Sequence, residues 1–242
     1  YKKKKLEFIK NFYEKISFKK KFDTIIMFSV LEHTNNFIEF IGKTKKILKK
    51  NGRFFLEIPI IDDQFLNGDL NCLLHEHVNY FSKKGIFNLL NQFNLEIENF
   101  YFKNDTGFFC IKHNTKKKQF IFKKNLPNLK KCKDIFNKKI LNFINFLKDN
   151  DKNKIIFYGA NNGLNNLLYA ASQKFTINTN RLFIVDSDSN KWGRYIGSLK
   201  NSIKKPNIIK RTDLICVASL SFYDEIVLNL KKNNQIINLN DI

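Results

Sequence analysis

Phe22-Asp23-Thr24-Ile25-Ile26-Met27-Phe28-Ser29-Val30 is a nearly continuous apolar run, too unbroken for a half-exposed strand. It predicts a strand buried on both faces, as in a parallel sheet. Asn35 or Asn36 then stands where a helix needs a cap. Phe37, Phe40, Ile41, Ile47 and Leu48 fall on one side of a helix that runs to about Lys50, with Gly52 placed to stop it. Residues 53–58 form a second apolar run closed by Pro59, the next expected buried strand. A loop to Leu74, a helix over 83–93 and strands over 95–102 and 107–113 complete the first half. Strands alternating with helices indicate an α/β sheet.

Residues 115–124 are polar and basic and mark a boundary, followed by helical spacing over 126–147. A second α/β pattern comes next. Strands are expected over 154–158, 181–185, 213–217 and 235–239, and helices over 164–174 and 223–231. The expected organisation is therefore residues 1–115, a connecting basic segment and helix over 116–150, and a second α/β unit over 151–242.

Hydrophobic residues make up 43% of the 242 positions, and 26 are phenylalanine, which excludes a disordered chain. The net charge of +21 invites a nucleic-acid reading, yet the basic residues are nearly all lysine, with only Arg53, Arg181, Arg194 and Arg211. Base and phosphate readout favours the bidentate arginine fork. Abundant Lys, Asn, Ile and Phe fit a codon bias toward A and T, so no nucleic-acid partner is expected. A positive field still attracts anionic small molecules such as nucleotide diphosphates. Cys72, Cys110, Cys132 and Cys216 are scattered without a Cys-x-x-Cys pair, which points to a reducing, cytoplasmic setting. No apolar run is long enough to span a bilayer, and no signal peptide is evident, so membrane insertion is not expected. The first residue is Tyr1 rather than Met, which fits the tail of a longer protein. The oligomeric state is not legible.

Residues 73–82, Leu-Leu-His-Glu-His-Val-Asn-Tyr-Phe-Ser, place two of four histidines beside a carboxylate. Histidine alone has an unperturbed pKa, about 6.5, that suits proton transfer near pH 7. In an extended segment His75 and His77 would point one way and Glu76 the other. A third histidine follows the first apolar run, in Leu31-Glu32-His33. In parallel sheets the loops beyond the strands' carboxyl ends line the ligand site, and these segments fall there. The bland alternative is that the histidines satisfy loop backbone. No metal is expected: His-x-His is a zinc spacing, but His33 and Asp62 are only nominal third ligands. Farther on, Tyr158-Gly159-Ala160-Asn161-Asn162-Gly163 is a strand–turn–helix junction whose amides suit phosphate, or simply a tight turn. Asp186 at the next strand end suits a ribose hydroxyl, or a turn cap.

Taken together, Phe22–Ile26, Leu31-Glu32-His33, Ile47–Arg53 and Glu57-Ile58-Pro59 resemble the second half of a class I S-adenosylmethionine-dependent methyltransferase. His75-Glu76-His77-Val78-Asn79-Tyr80-Phe81-Ser82 resembles the His-Glu-His-x-x-Tyr-Phe-Ser signature of sugar C-methyltransferases. Tyr158-Gly159-Ala160, Val185-Asp186, Lys191–Tyr195 and Asp224-Glu225-Ile226 are similar to that family's C-terminal domain. The resemblance implies an incomplete Rossmann-like methyltransferase sheet followed by a smaller Rossmann-like α/β domain. It implies S-adenosylmethionine as cofactor, bordered by Phe28, Ser29, Val30 and Leu31, and a nucleotide-linked keto-deoxy sugar as substrate. His77 would be the general base, with His33 and Glu76 in its pocket. His75, Tyr80, Gly159, Asn161, Asn162 and Asp186 would contact substrate.

The family's upstream Gly-rich turn, acidic ribose-binding residue and cysteine-rich zinc module have no counterpart here. An N-terminal part is therefore expected to be missing. Leu74 replaces a tyrosine usual before His-Glu-His, and the second turn is rich in asparagine. A sugar-nucleotide-binding module without methyl transfer is the alternative to an active enzyme.

Overall fold

The computed structural model describes residues 7–103, 105–114, 129–197, 199–219, 222–230 and 234–242. In chain order its elements are β1 (Phe22–Phe28), α1 (Phe37–Ile47), β2 (Leu48–Pro59), α2 (Asp62–Asn67), α3 (Lys83–Gln92), β3 (Leu95–Lys103) and β4 (Thr106–His113). They continue as α4 (Leu129–Asp149), β5 (Ile155–Tyr158), α5 (Asn162–Ser172), β6 (Leu182–Val185), β7 (Leu214–Val217), α6 (Tyr223–Asn229) and β8 (Gln235–Asn238). Two compact units result: Tyr1–Ile61 with Glu76–Leu126, and Asp62–His75 with Pro127–Ile242. The boundary expected at 115–124 lies outside the described residues.

In the first unit the sheet order is β1-β2-β4-β3, with β1 and β2 parallel and β4 antiparallel to both its neighbours. Asn36 starts α1: its side chain accepts from the Glu39 amide at 3.1 Å and donates back to the Glu39 carboxylate at 3.3 Å. Ser82 caps α3 by accepting from the Gly85 amide at 3.0 Å. Both helices bury their apolar sides, Phe40 and Ile41 from α1 and Ile86, Phe87 and Leu90 from α3, against Phe54, Leu56, Ile58, Phe109 and Ile111 of the sheet. These sheet residues alternate in sequence, so one face of the sheet is core.

The other face is open, and this corrects the expectation of strands buried on both sides. Only Met27 of β1 is buried, whereas Ile26 is 63% and Phe28 53% exposed. β1 is an edge strand of this sheet, and β2 alternates buried and partly exposed residues along 53–58. An unbroken apolar run therefore marks apolarity on both faces here without enclosure of both.

Gly52 does not end α1, which stops at Ile47, and β2 begins at Leu48, inside the span expected to be helical. The glycine sits within β2, where an added Cβ would lie 2.9 Å from the Asp23 carbonyl oxygen and 2.8 Å from Leu48 Cδ1. The β1–β2 register shifts between Phe22 and Thr24, beside this close approach. Gly52→Ala should destabilise the first unit by about 1–3 kcal/mol through overpacking, read as a lower urea midpoint. An unchanged midpoint would show that the strands separate freely at this point.

The second unit has the sheet order β6-β5-β7-β8, with every pairing parallel. Here the central strands β5 and β7 are enclosed on both faces. Ile155, Phe157, Ile184 and Cys216 pack with Phe143 and Ile144 of α4 and Leu164 and Leu168 of α5. Ile156, Tyr158, Val185, Ile215 and Val217 pack with Ile226 of α6. All four residues of β5 and of β7 are buried, the pattern of a parallel sheet between helical layers. Residues 59–74, expected as loop, contain α2 and a 3₁₀ turn at Leu70–Cys72, and from Asp62 on they belong to this unit. Both units are thus mixed α/β builds that contain parallel strands.

Candidate functional site

The site forms where β1 ends. Ser29 takes a left-handed conformation (φ 49°) and its amide donates to the Glu57 carbonyl at 3.3 Å. This bend turns the chain into a 3₁₀ turn at Leu31–His33, pinned by the fully buried Leu31. The segment after the second unit's excursion returns onto that turn. The amides of Val78 and Asn79 both donate to the Glu32 carbonyl, at 3.0 and 3.1 Å. Asn79 Nδ2 donates to the carbonyls of Leu31 at 3.3 Å and Thr34 at 2.5 Å. These bonds bring His77 to His33, with ring centroids 4.9 Å apart at an interplanar angle of 71°. Tyr80 lies edge-on to His77 at 6.2 Å.

His33 Nδ1 is 2.9 Å from the Glu76 carbonyl oxygen. A carbonyl only accepts, so Nδ1 carries the hydrogen, and in the neutral ring Nε2 keeps its lone pair. That nitrogen lies 3.7 Å from Glu32 Oε1. Glu32 is 2% exposed, and its Oε2 has no hydrogen-bond partner among the described residues. Burial pulls the His77 pKa below its ordinary 6.5; the charge of Glu32 pushes back, His33 lowers it further, and Glu76 opposes. His77 is therefore a neutral imidazole at pH 7, with a buried carboxylate nearby to stabilise the charge it gains on protonation.

Two expected residues, His75 and Glu76, are exposed. The Glu76 side chain is exposed, and the residue contributes its carbonyl to His33. The carboxylate that faces the histidines is Glu32, which sequence reasoning passed over although it directly precedes His33. His75 is exposed and falls in the second unit, and residues 75–76 form a turn, so strand-like alternation does not govern them. Among the cofactor-bordering candidates, Phe28 and Ser29 are exposed, Val30 is half-buried, and Leu31 offers only backbone.

In the second unit Gly159 has φ 108°, and an added Cβ would sit 2.7 Å from Ser219 Cβ. Asn161 caps α5, accepting from the Leu164 amide at 2.9 Å and donating to the Ala218 carbonyl at 2.8 Å. Asp186 accepts from the amides of Ala160 at 2.7 Å and Asp188 at 2.9 Å and from Lys191 Nζ at 3.0 Å. The Gly163 amide donates to Asn71 Oδ1 at 2.7 Å. The amides of Ala160, Gly163 and Leu164, which a phosphate at this turn would seek, are thus engaged by the chain itself. A cleft of about 490 Å³ does open beside the turn, lined by Asn161, Asn162, Asn165, Lys191, Arg194 and Tyr195 among others. Of its two cations, unforeseen as ligands, Lys191 is held by Asp186 and the Ala160 carbonyl, which leaves Arg194 as the side chain placed to meet an anion. Among the described residues no helix is long and apolar enough to cross a membrane.

Residues 3–99 match a family model described as methyltransferase domain. No curated protein matches the chain. Among solved structures, the chain is similar to an O-methyltransferase family protein from Burkholderia thailandensis, at 12% identity and a TM-score of 0.33. That likeness covers 39% of this chain and 31% of the other, so the chain spans less than a third of that protein's length, and nothing functional rests on it. The match covers less than half of the chain, and the matched domain implies S-adenosylmethionine as the cofactor.

Proposed function

We propose that the chain serves a methyltransferase that adds carbon-bound methyl groups to a nucleotide-linked keto-deoxy sugar, or a related surface-glycan precursor, through an enolate. The observation that carries this reading is the convergence of neutral His77, His33 and buried Glu32 beyond the carboxyl end of β1. A base so placed can take a proton from the carbon α to a ketone, whereas methylation of a hydroxyl would take it from oxygen.

The exposed Phe28 ring and the Ser29 hydroxyl at the strand end fit a nucleoside, offering an apolar plane beside a hydrogen-bonding group. S-adenosylmethionine held there supplies an electrophilic methyl group. A ring nitrogen of His77 takes the proton from the carbon α to the substrate ketone, and the C–H electron pair passes into the enolate. As the new C–C bond forms, the sulfur–methyl bond breaks and its electron pair passes to sulfur, leaving a neutral thioether. His77 meanwhile holds the proton as an imidazolium that Glu32 stabilises, and later releases it to water. Asn79 keeps the two histidine-bearing segments together. Within the second unit by itself, Arg194 at the cleft suits a phosphate group.

The test is transfer of labelled methyl from S-adenosylmethionine to 4-keto-deoxy sugar nucleotides, with the product's new bond located by NMR. A methyl on carbon supports the proposal, and a methyl on oxygen overturns it. Calorimetric binding of the sugar nucleotide without any transfer would select the binding-module alternative, which the cationic cleft favours. Steeply salt-dependent binding of plain oligonucleotide, with no response to sugar nucleotide, would instead assign the charge to nucleic acid.

A further inference from the structure

We propose that Glu32, His33 and His77 form a site for one divalent transition-metal ion of the zinc class, and that the ion shuts the proton-accepting site by occupying the lone pair of His77. Each residue offers one ligand atom, and these atoms all lie within 4.8 Å of one another. Tetrahedral ligands about 2.1 Å from zinc lie about 3.4 Å apart, close to the 3.7 Å between His33 Nε2 and Glu32 Oε1. The half-buried His77 ring, edge-on to His33, completes the set.

Two further observations point to a cation rather than to three side chains sharing a corner. Glu32 is 98% enclosed by its 2% exposure, and its second oxygen, Oε2, is buried without a hydrogen-bond partner among the described residues. A buried carboxylate in that condition is costly unless a positive charge meets it. His33 is also oriented as metal-ligating histidines are: Nδ1–H donates to the Glu76 carbonyl, which turns the Nε2 lone pair toward Glu32. A lone pair facing a carboxylate oxygen is repulsive until a proton or a metal ion stands between them. Two imidazoles and one carboxylate make a donor set that suits zinc, with a fourth position left for water or substrate. The third ligand is thus Glu32, not Asp62, which lies in the other unit.

The experiment uses chelator-treated protein titrated with Zn²⁺ by calorimetry and with Co²⁺ by visible absorption. The expected result is one ion per chain, with the intense Co²⁺ bands of a four-coordinate site. Glu32→Gln and His77→Ala should each weaken binding by about 100-fold, while His113→Gln, on β4, leaves it unchanged. Far-UV circular dichroism confirms that each variant is folded, and the near-isosteric Glu32→Gln decides the matter if a histidine variant does not fold. Wild-type binding no tighter than that of Glu32→Gln, or an aqua-like Co²⁺ spectrum, would overturn the site.

The binding arm needs no activity and does not rest on His77 being the base; the inhibition arm rests on that reading. Full methyl transfer at saturating Zn²⁺ would overturn the shutting role alone. Absence of transfer in chelator, with Zn²⁺ still bound at the site when added, would count against the proposed reaction and not against the metal.

Discussion

His77→Ala is expected to lower methyl transfer by about 100- to 10,000-fold, the range that a positioned general base contributes. Binding of S-adenosylmethionine should be preserved, because His77 is not one of the residues 28–31 expected to border it and is not part of the first unit's buried core. The decisive readout is exchange with solvent deuterium at the carbon α to the ketone, followed by NMR without cofactor. Wild-type protein should promote this exchange, and His77→Ala should not. Glu32→Gln, which removes the charge that meets the imidazolium but keeps the side chain's shape, should show a smaller loss in both assays. Exchange at the wild-type rate in His77→Ala would place the base elsewhere, and retained exchange with lost transfer would assign His77 to positioning the acceptor. Far-UV circular dichroism separates either result from misfolding. Assays run in chelator keep bound metal out of the comparison.

The elements were largely legible in the sequence because local signals and packing agree. Asn36 and Ser82 cap helices where a side-chain acceptor precedes an apolar helical face. The strands at 154–158, 181–185, 213–217 and 235–239 appear within a residue or so of their expected ends, since short apolar runs flanked by turn residues admit few other structures. The errors arise where burial depends on partners remote in sequence. The run from Phe22 looks doubly buried, yet its strand lies at a sheet edge, and apolarity alone does not say what covers a face. Gly52 resembles a helix stop, but the closeness of the Asp23 carbonyl explains it, and that neighbour is nearly thirty residues away in sequence. At the site, histidine and carboxylate types were legible and the grouping of Glu32 with the two histidines was not. Glu76 stood out because it lies between two histidines, whereas Glu32 faces them only after Val78 and Asn79 dock on its carbonyl.

Asp186→Ala is expected to destabilise the second unit by about 3 kcal/mol, as buried amide donors lose their acceptor. The carboxylate is 7% exposed and ties the end of β6 to the turn after β5 through Ala160, Asp188 and Lys191. Trp192, the only tryptophan in the chain, donates its indole hydrogen to the Asp186 carbonyl at 2.8 Å, so its fluorescence reports unfolding at this very point. Burial alone would raise the Asp186 pKa, but the amides of Asp188 and Ala160 and the Lys191 ammonium outweigh it and hold the carboxyl below its ordinary 3.8. A carboxyl whose folded pKa is depressed binds its proton more readily in the unfolded chain. Its contribution is complete above the unfolded value and disappears as pH falls through the lower folded one. The gap between wild type and Asp186→Ala in urea midpoint should therefore be flat from neutral pH down to about pH 5 and narrow below about pH 4. A gap that stays constant into that acid range would mean that the carboxylate's charge adds nothing and that the variant's loss is one of packing. No gap at any pH would show that the turn after β5 holds its shape through Gly159 and Asn161 alone.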